Sequence, residues 1–324
     1  MHTEPVIPVL PIARYRFRFT ATATAALPEY SGSAWRGAFG HALKRAVCVT
    51  RLPKCDACLL RGACSYAYVF ETPPPADAAK MRKYTAAPHP FVLLPDPAGG
   101  RVGAGEAIEL RVTLFGRAQA HLPYVIHALA AAAAEGLGAR RVPLQLAGVL
   151  QELQPGTEQW AEIYRPGCVP AGWNAPPAAI PPPPRSCRIT FLTPLRLKRD
   201  DALVRPEQFR FEHLASSLLR RLSMLTYFHA ETPLETDFAG LTRLAATVEL
   251  DAARLRWRDW TRRSSRQDAI LQMGGLVGEV FLDTRGRDAL WPYLWLGQLT
   301  HAGAGTVMGL GHYRVEAASL PDNA

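Results

Sequence analysis

A proline-rich stretch near the middle of the chain divides it into two halves. Residues 154–185 contain the segment AGWNAPPAAIPPPPR, and this density of prolines disfavours helix and sheet. A chain of 324 residues, 48% of them hydrophobic, can fill two ordinary cores. We therefore predict one domain over residues 1–153, a linker over residues 154–185 and a second domain over residues 186–324.

The first half alternates strand and helix patterns. Residues 13–25, ARYRFRFTATATA, alternate apolar and polar or basic side chains as a half-buried strand does, and residues 31–47 predict a helix with Ser31 at its N-cap. The core stripe of this helix consists of Trp35, Phe39, Ala42 and Ala46. The segments AIELRVTLFG, LPYVIHALAAAAAEGLG and PLQLAGVLQEL then predict strand, helix and strand, and PHPFVLLP is the place for one further strand. The order βαββαβ is that of a ferredoxin-like (RRM-like) domain.

The second half repeats this order. RITFLTPLRL predicts a strand and FRFEHLASSLLRRLSMLTYFHA a helix. LAATVELDAARLRWRDWT and LVGEVFLD predict a hairpin, ALWPYLWLGQL a helix and HYRVEAASL a last strand. The expected fold class is α+β, with two tandem ferredoxin-like domains that form a structural duplication.

The charge balance favours a polyanionic partner. Lys and Arg number 37 against 28 Asp and Glu, a surplus that suits nucleic acid but that many soluble proteins share. No run of 18 apolar residues occurs, and MHTEPVIPVLPIARYRF has neither the basic start nor the apolar run of a signal peptide. We expect a cytoplasmic protein without a membrane segment.

Four of the six cysteines crowd into residues 48–64, an insertion in the first domain. Their spacing is Cys48-x6-Cys55-x2-Cys58-x5-Cys64. Four thiolates so close in sequence can wrap one tetrahedral zinc ion, and without an open ligand position the site would be structural rather than catalytic. An iron–sulfur cluster and four incidental thiols are the alternatives.

A glycine-rich segment, HAGAGTVMGLGHYR, lies between the last predicted helix and strand. Its glycines are Gly303, Gly305, Gly309 and Gly311. A dinucleotide-binding loop follows a strand and opens a helix, and here the order is reversed. The glycines could let backbone N–H groups approach phosphates, or they could serve a tight connection that needs positive φ.

The segment RLRWRDWTRRSSRQ mixes cations with aromatic rings, a combination that RNA-binding surfaces use for phosphate contact and base stacking. The predicted contact residues are Arg254, Arg256, Trp257, Arg258, Arg262, Arg263 and Arg266. A solvated hairpin edge protected by charge is the alternative. Arg14, Arg16 and Arg18 form a second basic row on the first strand.

Several segments together resemble the CRISPR repeat-processing endoribonucleases of the RAMP superfamily, in the subgroup with a cysteine cluster. They include SGSAWRGAFGHALKR, CSYAYVFETPPP, PFVLLP, VTLFGRAQAHLPYVIHALAAAAAEGLG, TPLRLK, RDWTRRSSRQ, GGLVGE and HAGAGTVMGLGHYR. The resemblance implies two ferredoxin-like domains, a glycine-rich loop in the second, and cleavage of CRISPR repeat RNA. The 2′-OH would attack and leave a 2′,3′-cyclic phosphate, a reaction that needs no catalytic metal and excludes DNA.

The resemblance also suggests catalytic residues, because the family commonly uses a histidine on or near the first helix with a lysine or tyrosine nearby. His41, Lys44 and Tyr30 fit that description, and Arg36 and Arg45 would add RNA contacts. His301, which introduces the glycine-rich segment, competes with His41 for the same role. For either histidine a structural role is the alternative.

Two other functions stay open from the sequence. One is a noncatalytic RNA-binding subunit of a CRISPR effector complex, with other subunits of that complex as partners. The second is a zinc-knuckle DNA-binding protein, which the cysteines favour and the absence of a recognition-helix motif opposes.

Overall fold

The computed structural model describes residues 6–28, 30–74, 87–95, 100–137, 141–264 and 269–320. The chain forms two compact units. The N-terminal unit comprises Leu10–Ala178 and Met224–Thr232, and the C-terminal unit comprises Met1–Val9, Ala179–Ser223 and Pro233–Ala324.

The N-terminal unit is built on an antiparallel sheet. In chain order its elements are β1 (Ile12–Ala21), β2 (Ala25–Leu27), α1 (Gly32–Val47), β3 (Phe91–Pro95), β4 (Gly100–Val102), β5 (Ala107–Phe115), α2 (Leu122–Ala134), β6 (Leu144–Glu152) and β7 (Trp160–Tyr164). The sheet order is β3-β5-β1-β6-β7, and β2 pairs separately with β4. The strands β1, β3, β5 and β6 with α1 and α2 form the predicted ferredoxin-like βαββαβ unit. The strand expected at PHPFVLLP is β3, so that prediction is confirmed.

Strand β7 contradicts the predicted linker. It lies inside residues 154–185 and pairs antiparallel with β6, so the first sheet has a fifth strand. The nearest prolines, Pro155 and Pro166, flank this strand and do not interrupt it. The division between the units falls after Ala178, inside the range 154–185 where the linker was predicted.

The core face of α1 follows the predicted stripe over most of its length. Trp35, Phe39 and Ala42 are buried, as predicted. Ala46, in the last turn, is exposed, and Leu43 is buried instead. Helix α2 is rich in alanine, the strongest helix former, and has a proline in its first turn where no N–H partner is required.

The C-terminal unit has the same plan. Its elements are β8 (Ser186–Leu195), β9 (Lys198–Arg199), β10 (Ala202–Leu203), α3 (Phe211–His229), α4 (Phe238–Ala246), β11 (Ala252–Arg258), β12 (Thr261–Ser264), β13 (Ala269–Gln272), β14 (Gly275–Asp283), α5 (Trp291–Thr300) and β15 (Tyr313–Ala317). The C-terminal end of α3, from Met224 onward, is counted with the N-terminal unit. The main sheet has the order β11-β14-β8-β15, and β12 pairs with β13 between the two strands of the predicted hairpin.

Helix α4 corrects the start of that hairpin. The predicted strand began at Leu244, but residues 244–246 complete α4. Asp237 caps this helix, because its Oδ1 accepts a hydrogen bond of 2.8 Å from the N–H of Gly240. Strand β11 therefore begins only at Ala252.

Helix α5 is apolar on nearly every side and is buried along most of its length. Its C-terminal end leads directly into the glycine-rich segment, which the C-terminal unit therefore holds between a buried helix and β15. In the described residues, no helix combines the length and the apolar character that crossing a lipid bilayer requires.

Candidate functional site

Helix α1 carries a histidine that is open to solvent. His41 is exposed, and Lys44 and Arg45 lie one turn further along the helix. Lys44 Nζ donates a hydrogen bond of 2.9 Å to the carbonyl oxygen of Pro53, and Arg45 forms an ion pair with Glu135. The helix thus presents one imidazole beside two cations that already have partners in this unit.

The two other predicted residues near α1 differ in their surroundings. Arg36 is half-buried, with its guanidinium 4.6 Å from the ring centroid of Phe70 and 3.4 Å from His89 Nε2. His89 Nδ1 lies 2.8 Å from the hydroxyl of Thr72. Tyr30 precedes the helix and is half-buried. Arg36 is therefore held against an aromatic ring by contacts inside the unit.

The cysteine loop starts where α1 ends. Cys48 is the C-cap of the helix. The backbone N–H of Cys58 donates a hydrogen bond of 3.2 Å to the carbonyl oxygen of Cys55. The Thr50 hydroxyl lies 3.9 Å from the sulfur of Cys48 and 3.5 Å from that of Cys58. This Thr50 contact lowers the pKa of the Cys58 thiol, whereas burial raises that of Cys55.

The four cysteines are free thiols, the donors that a tetrahedral zinc ion takes. The Thr50 hydroxyl contacts the sulfur atoms of both Cys48 and Cys58, which are two of the four predicted zinc ligands. Among the described residues, however, no three Cys, His, Asp or Glu side chains are arranged to hold a metal ion. The zinc site with Cys48, Cys55, Cys58 and Cys64 as ligands therefore stays a prediction.

The glycine-rich segment is a tight connection. Gly303, Gly305, Gly309 and Gly311 have φ between +67° and +84°, where glycine is strongly favoured. A Cβ on Gly303 would lie 2.5 Å from the carbonyl oxygen of Arg196, and one on Gly311 would lie 1.8 Å from that of Ala302. Positive φ, the alternative named for these glycines, is present at all four.

Most described amides of this segment already have acceptors. Gly303 N–H donates to the hydroxyl of Ser217 at 3.0 Å, and Gly311 N–H donates to the carbonyl of Pro194 at 3.1 Å. Gly309 N–H donates to Thr306 at 2.9 Å within the segment itself. These three N–H groups are already engaged inside the protein, and the predicted phosphate contact of the segment stays a prediction.

His301, the competing catalytic candidate, lies inside this connection. It is 3% exposed, and its Nδ1 is 3.1 Å from the carbonyl oxygen of Leu310. Its ring stacks on His312, with centroids 4.9 Å apart. Arg221 donates a hydrogen bond of 2.6 Å to the Thr300 carbonyl just before it, and burial lowers the pKa of Arg221 to about 9.

The arginine and tryptophan segment forms β11 and β12. Arg254 pairs with Glu279 at 3.2 Å, and Arg256 is exposed. Trp257 is half-buried, with the guanidinium of Arg205 3.9 Å from its ring centroid, and its Nε1–H donates to Asp259 at 2.7 Å. One face of this predicted stacking ring is thus already covered.

The other predicted contacts of this segment are described only in part. Arg258 is half-buried at the end of β11. Arg262 and Arg263 lie in β12, where only their backbone is described, and Arg266 lies outside the described residues.

Sequence reasoning missed an ion-pair cluster on the outer face of the first sheet. Arg14 and Arg16, predicted as a basic row with Arg18, are paired with Glu152 and Glu158. The glutamates lie far along the chain from β1, so periodicity gives no sign of the pairing.

A second cluster of polar aromatic side chains was also missed. His229 Nδ1 lies 3.1 Å from the hydroxyl of Tyr68, and its Nε2 lies 2.7 Å from the carbonyl of Pro88. His121 Nδ1 lies 3.1 Å from the hydroxyl of Ser65. Burial lowers the pKa of His121. These contacts hold both histidines inside the N-terminal unit.

Comparison with known proteins divides along the same two units. The family model AF_1859_N, described as an N-terminal domain, matches residues 10–173. The family model described as CRISPR-associated endoribonuclease Cas6 matches residues 189–313. With two ferredoxin-like units and these matches, the chain is similar to the CRISPR-associated endoribonucleases. The AF_1859_N model spans just over half of the chain, so the chain belongs to that family, and its C-terminal unit matches the Cas6 family model.

A curated relative supports only part of the chain. An uncharacterised protein of Archaeoglobus fulgidus is 30% identical over 113 residues, which are 35% of this chain and 37% of that protein. The chain therefore matches little more than a third of that relative's length.

Solved structures share the fold over almost the whole chain. A Cas6 product complex has a TM-score of 0.58 at 19% identity and covers 94% of this chain and 100% of that one. Cas6 of Thermus thermophilus has a TM-score of 0.53 at 17% identity, with 95% and 99% coverage. A partial Cas6-RT-Cas1–Cas2 complex has a TM-score of 0.57 at 14% identity, with 96% and 47% coverage. At these identities the likeness concerns the fold alone.

Proposed function

We propose that this protein cuts CRISPR repeat RNA into guide RNA without a catalytic metal. The 2′-OH of the nucleotide before the cut loses its proton to a base and attacks the adjacent phosphorus. The bond from phosphorus to the 5′-oxygen breaks, an acid gives that oxygen a proton, and a 2′,3′-cyclic phosphate remains. Cations stabilise the charge that develops on phosphorus.

The observation that carries this proposal is the exposed His41 on α1, with Lys44 and Arg45 on the following turn. An imidazole can exchange protons near neutral pH, and an exposed one can reach a bound RNA. His301 is less suited to that role, because its ring is 3% exposed and is held by the loop that it introduces. We therefore assign proton transfer to His41 and a loop-supporting role to His301.

The partners follow from the relatives. One similar structure is a Cas6 product complex and another is a Cas6-RT-Cas1–Cas2 complex. We propose that this chain likewise binds repeat RNA and works with other CRISPR proteins, in the cytoplasm where the transcript is made. The surplus of 37 basic over 28 acidic residues agrees with an RNA partner.

The test is cleavage of synthetic repeat RNA by purified protein in EDTA. We expect His41→Ala to slow single-turnover cleavage by roughly 10²-fold or more, as loss of general acid–base catalysis does, with repeat binding nearly unchanged. His127→Ala is the matched control, because His127 is also an exposed histidine on a helix of the same unit. RNA with a 2′-deoxy nucleotide at the cut should bind and stay whole.

Three results would overturn these assignments. If His301→Ala removes cleavage and His41→Ala does not, the buried histidine holds the role. If both variants cut at the wild-type rate, catalysis rests on cations such as Lys44, Arg36 or Arg45. If the unmodified protein binds repeat RNA and never cuts it, the chain is a noncatalytic RNA-binding subunit.

We also propose that the cysteine loop binds one structural zinc ion through Cys48, Cys55, Cys58 and Cys64. The support is the donor chemistry and the loop's lack of a core of its own: Val49 is 81% and Leu59 is 88% exposed. A loop that buries so little apolar surface needs another source of folding free energy, which metal binding supplies. The ion would hold the loop and take no part in cleavage.

A further inference from the structure

One carboxylate on the outer face of the first sheet is surrounded by arginines. Glu158 accepts a hydrogen bond of 2.9 Å from Arg14 and one of 2.7 Å from Arg16, and Arg111 lies 3.8 Å away. Three guanidinium groups around one oxyanion are also how proteins bind a phosphate group. Glu158 therefore stands where an anionic ligand would bind.

The strand register makes this arrangement costly unless an anion is present. Arg16 on β1 lies directly opposite Arg111 on β5, and like charges in that position repel. Burial lowers the pKa of Arg111, and Arg14 and Arg16 lower it further. Ordinary sheet stability would not select two arginines opposite each other, so this pair suggests a binding role.

Glu158 differs from the second carboxylate of the cluster. Glu152 has a fully buried side chain, 2.8 Å from Arg14, and it holds the β6–β7 connection by accepting the N–H groups of Gly156 and Glu158 at 3.1 and 2.7 Å. The Glu158 side chain is 47% exposed. The connection is thus anchored through Glu152 and the backbone, and the Glu158 side chain can turn away while that anchor remains.

Unused hydrogen-bond donors lie in the same cluster. The guanidinium of Arg16 lies 4.2 Å from the ring centroid of Trp160. Within the described part of the chain, Trp160 Nε1 and Arg16 Nε are buried without a hydrogen-bond partner. Buried donors are rarely left unpaired, and displacement of the Glu158 side chain would have to uncover these two before a ligand oxygen could accept from them.

The charge of Glu158 is maintained at neutral pH. Burial alone would raise its pKa, but the arginines outweigh burial and bring the pKa down to about 2. The carboxylate is therefore ionised and competes with any incoming anion. With Glu152 neutralising Arg14, the charges of Arg16 and Arg111 would become available when Glu158 leaves.

We propose that Arg14, Arg16 and Arg111 form a phosphate-binding subsite for single-stranded RNA, which the Glu158 carboxylate occupies in the free protein. The RNA phosphodiester displaces the Glu158 side chain and takes its place among the three guanidinium groups. That the ligand is RNA rests on the proposed function. That the Glu158 carboxylate occupies an anion-binding site rests on the contacts described above.

The test measures binding of a fluorescent 12-nucleotide oligouridylate by anisotropy at several salt concentrations. Glu158→Gln removes the competing charge and keeps the side-chain shape. We expect affinity to rise roughly 3- to 10-fold and the salt slope to steepen by about 0.7, the value for one more phosphate contact on a single strand. Glu109→Gln is the matched control, because Glu109 contacts Arg18 on the same sheet at 3.4 Å and its charge acts on Arg111 without forming one of the ion pairs described for Glu158.

A second pair of variants tests the arginines themselves. Arg111→Gln should cancel the gain in the Glu158→Gln background and weaken binding several-fold in the wild-type background. Arg101→Gln, which removes an exposed charge elsewhere in this unit, should do neither. Thermal melts of all variants establish that each is folded.

Two results would overturn the proposal. One is equal affinity for Glu158→Gln and Glu109→Gln, and the other is a gain that survives Arg111→Gln. If Glu158→Gln does not fold, the comparison of Arg111→Gln with Arg101→Gln is the remaining test. Equal RNA affinity of these two variants would then refute the proposed subsite. Failure here leaves repeat cleavage by the wild-type protein intact, whereas failure of the proposed function shows as absence of that cleavage.

Discussion

Replacement of Gly311 by alanine tests whether the glycine-rich segment is built for its own geometry. Gly311 has a φ of +67°, and a Cβ there would lie 1.8 Å from the carbonyl oxygen of Ala302. The backbone must shift, which disturbs the hydrogen bond from Gly311 N–H to Pro194 and the bond from Ala302 N–H to Gly311, of 3.1 and 3.0 Å. Left-handed backbone and each lost hydrogen bond cost about 1 kcal/mol apiece, so the free energy of unfolding should fall by about 3 kcal/mol.

Gly286→Ala is the control for this variant. Gly286 has a φ of +72° in the same unit, but apart from its chain neighbours no described atom lies within 4 Å of its added Cβ. The free energy of unfolding of Gly286→Ala should therefore fall by only about 1 kcal/mol, the cost of the left-handed backbone. Urea denaturation followed by circular dichroism measures both changes. If the two variants unfold at the same midpoint, crowding does not explain Gly311, and a ligand of the segment becomes the better reason for glycine.

Two predictions concern the N-terminal unit. Elemental analysis should find about one zinc per chain, and Cys58→Ser should lower the melting temperature without selectively stopping cleavage; protein without metal, or with an iron chromophore, would refute the zinc assignment. The free energy of unfolding should fall as pH decreases below about 6.5, because burial lowers the pKa of His121 and the unfolded chain then binds more protons. His121→Asn should weaken this dependence in urea midpoints measured across pH, and an unchanged dependence would contradict it.

The βαββαβ order was predictable because it depends on local patterns. Alternation along β1 and the apolar run of β3 identify strands without any knowledge of their partners. Strand β7 was missed because its five residues lie among prolines that do not interrupt it. The start of β11 was misplaced because LAATVEL suits a short helix as well as a strand, and the cap at Asp237 decided between them.

The candidate site was predictable only where one helix contains it. His41 and Lys44 are neighbours on α1, so helical spacing was enough to place them together. The pairing of Arg16 with Glu158 spans 142 residues, and only the folded sheet brings them into contact. The burial of His301 was equally hidden, because a glycine-rich loop has no period from which an inner and an outer face can be read.

The division of the chain has a consequence for how such proteins can be recombined. Met224–Thr232 belongs to the N-terminal unit although the chain on both sides of it belongs to the C-terminal unit. A single crossover between two homologous genes, even one placed at the proline-rich stretch, would therefore give the N-terminal unit one segment from the other parent. A hybrid should fold only when residues 224–232 come from the same parent as residues 10–178. One crossover between the units cannot satisfy this condition, so the two units cannot be exchanged by a single recombination event.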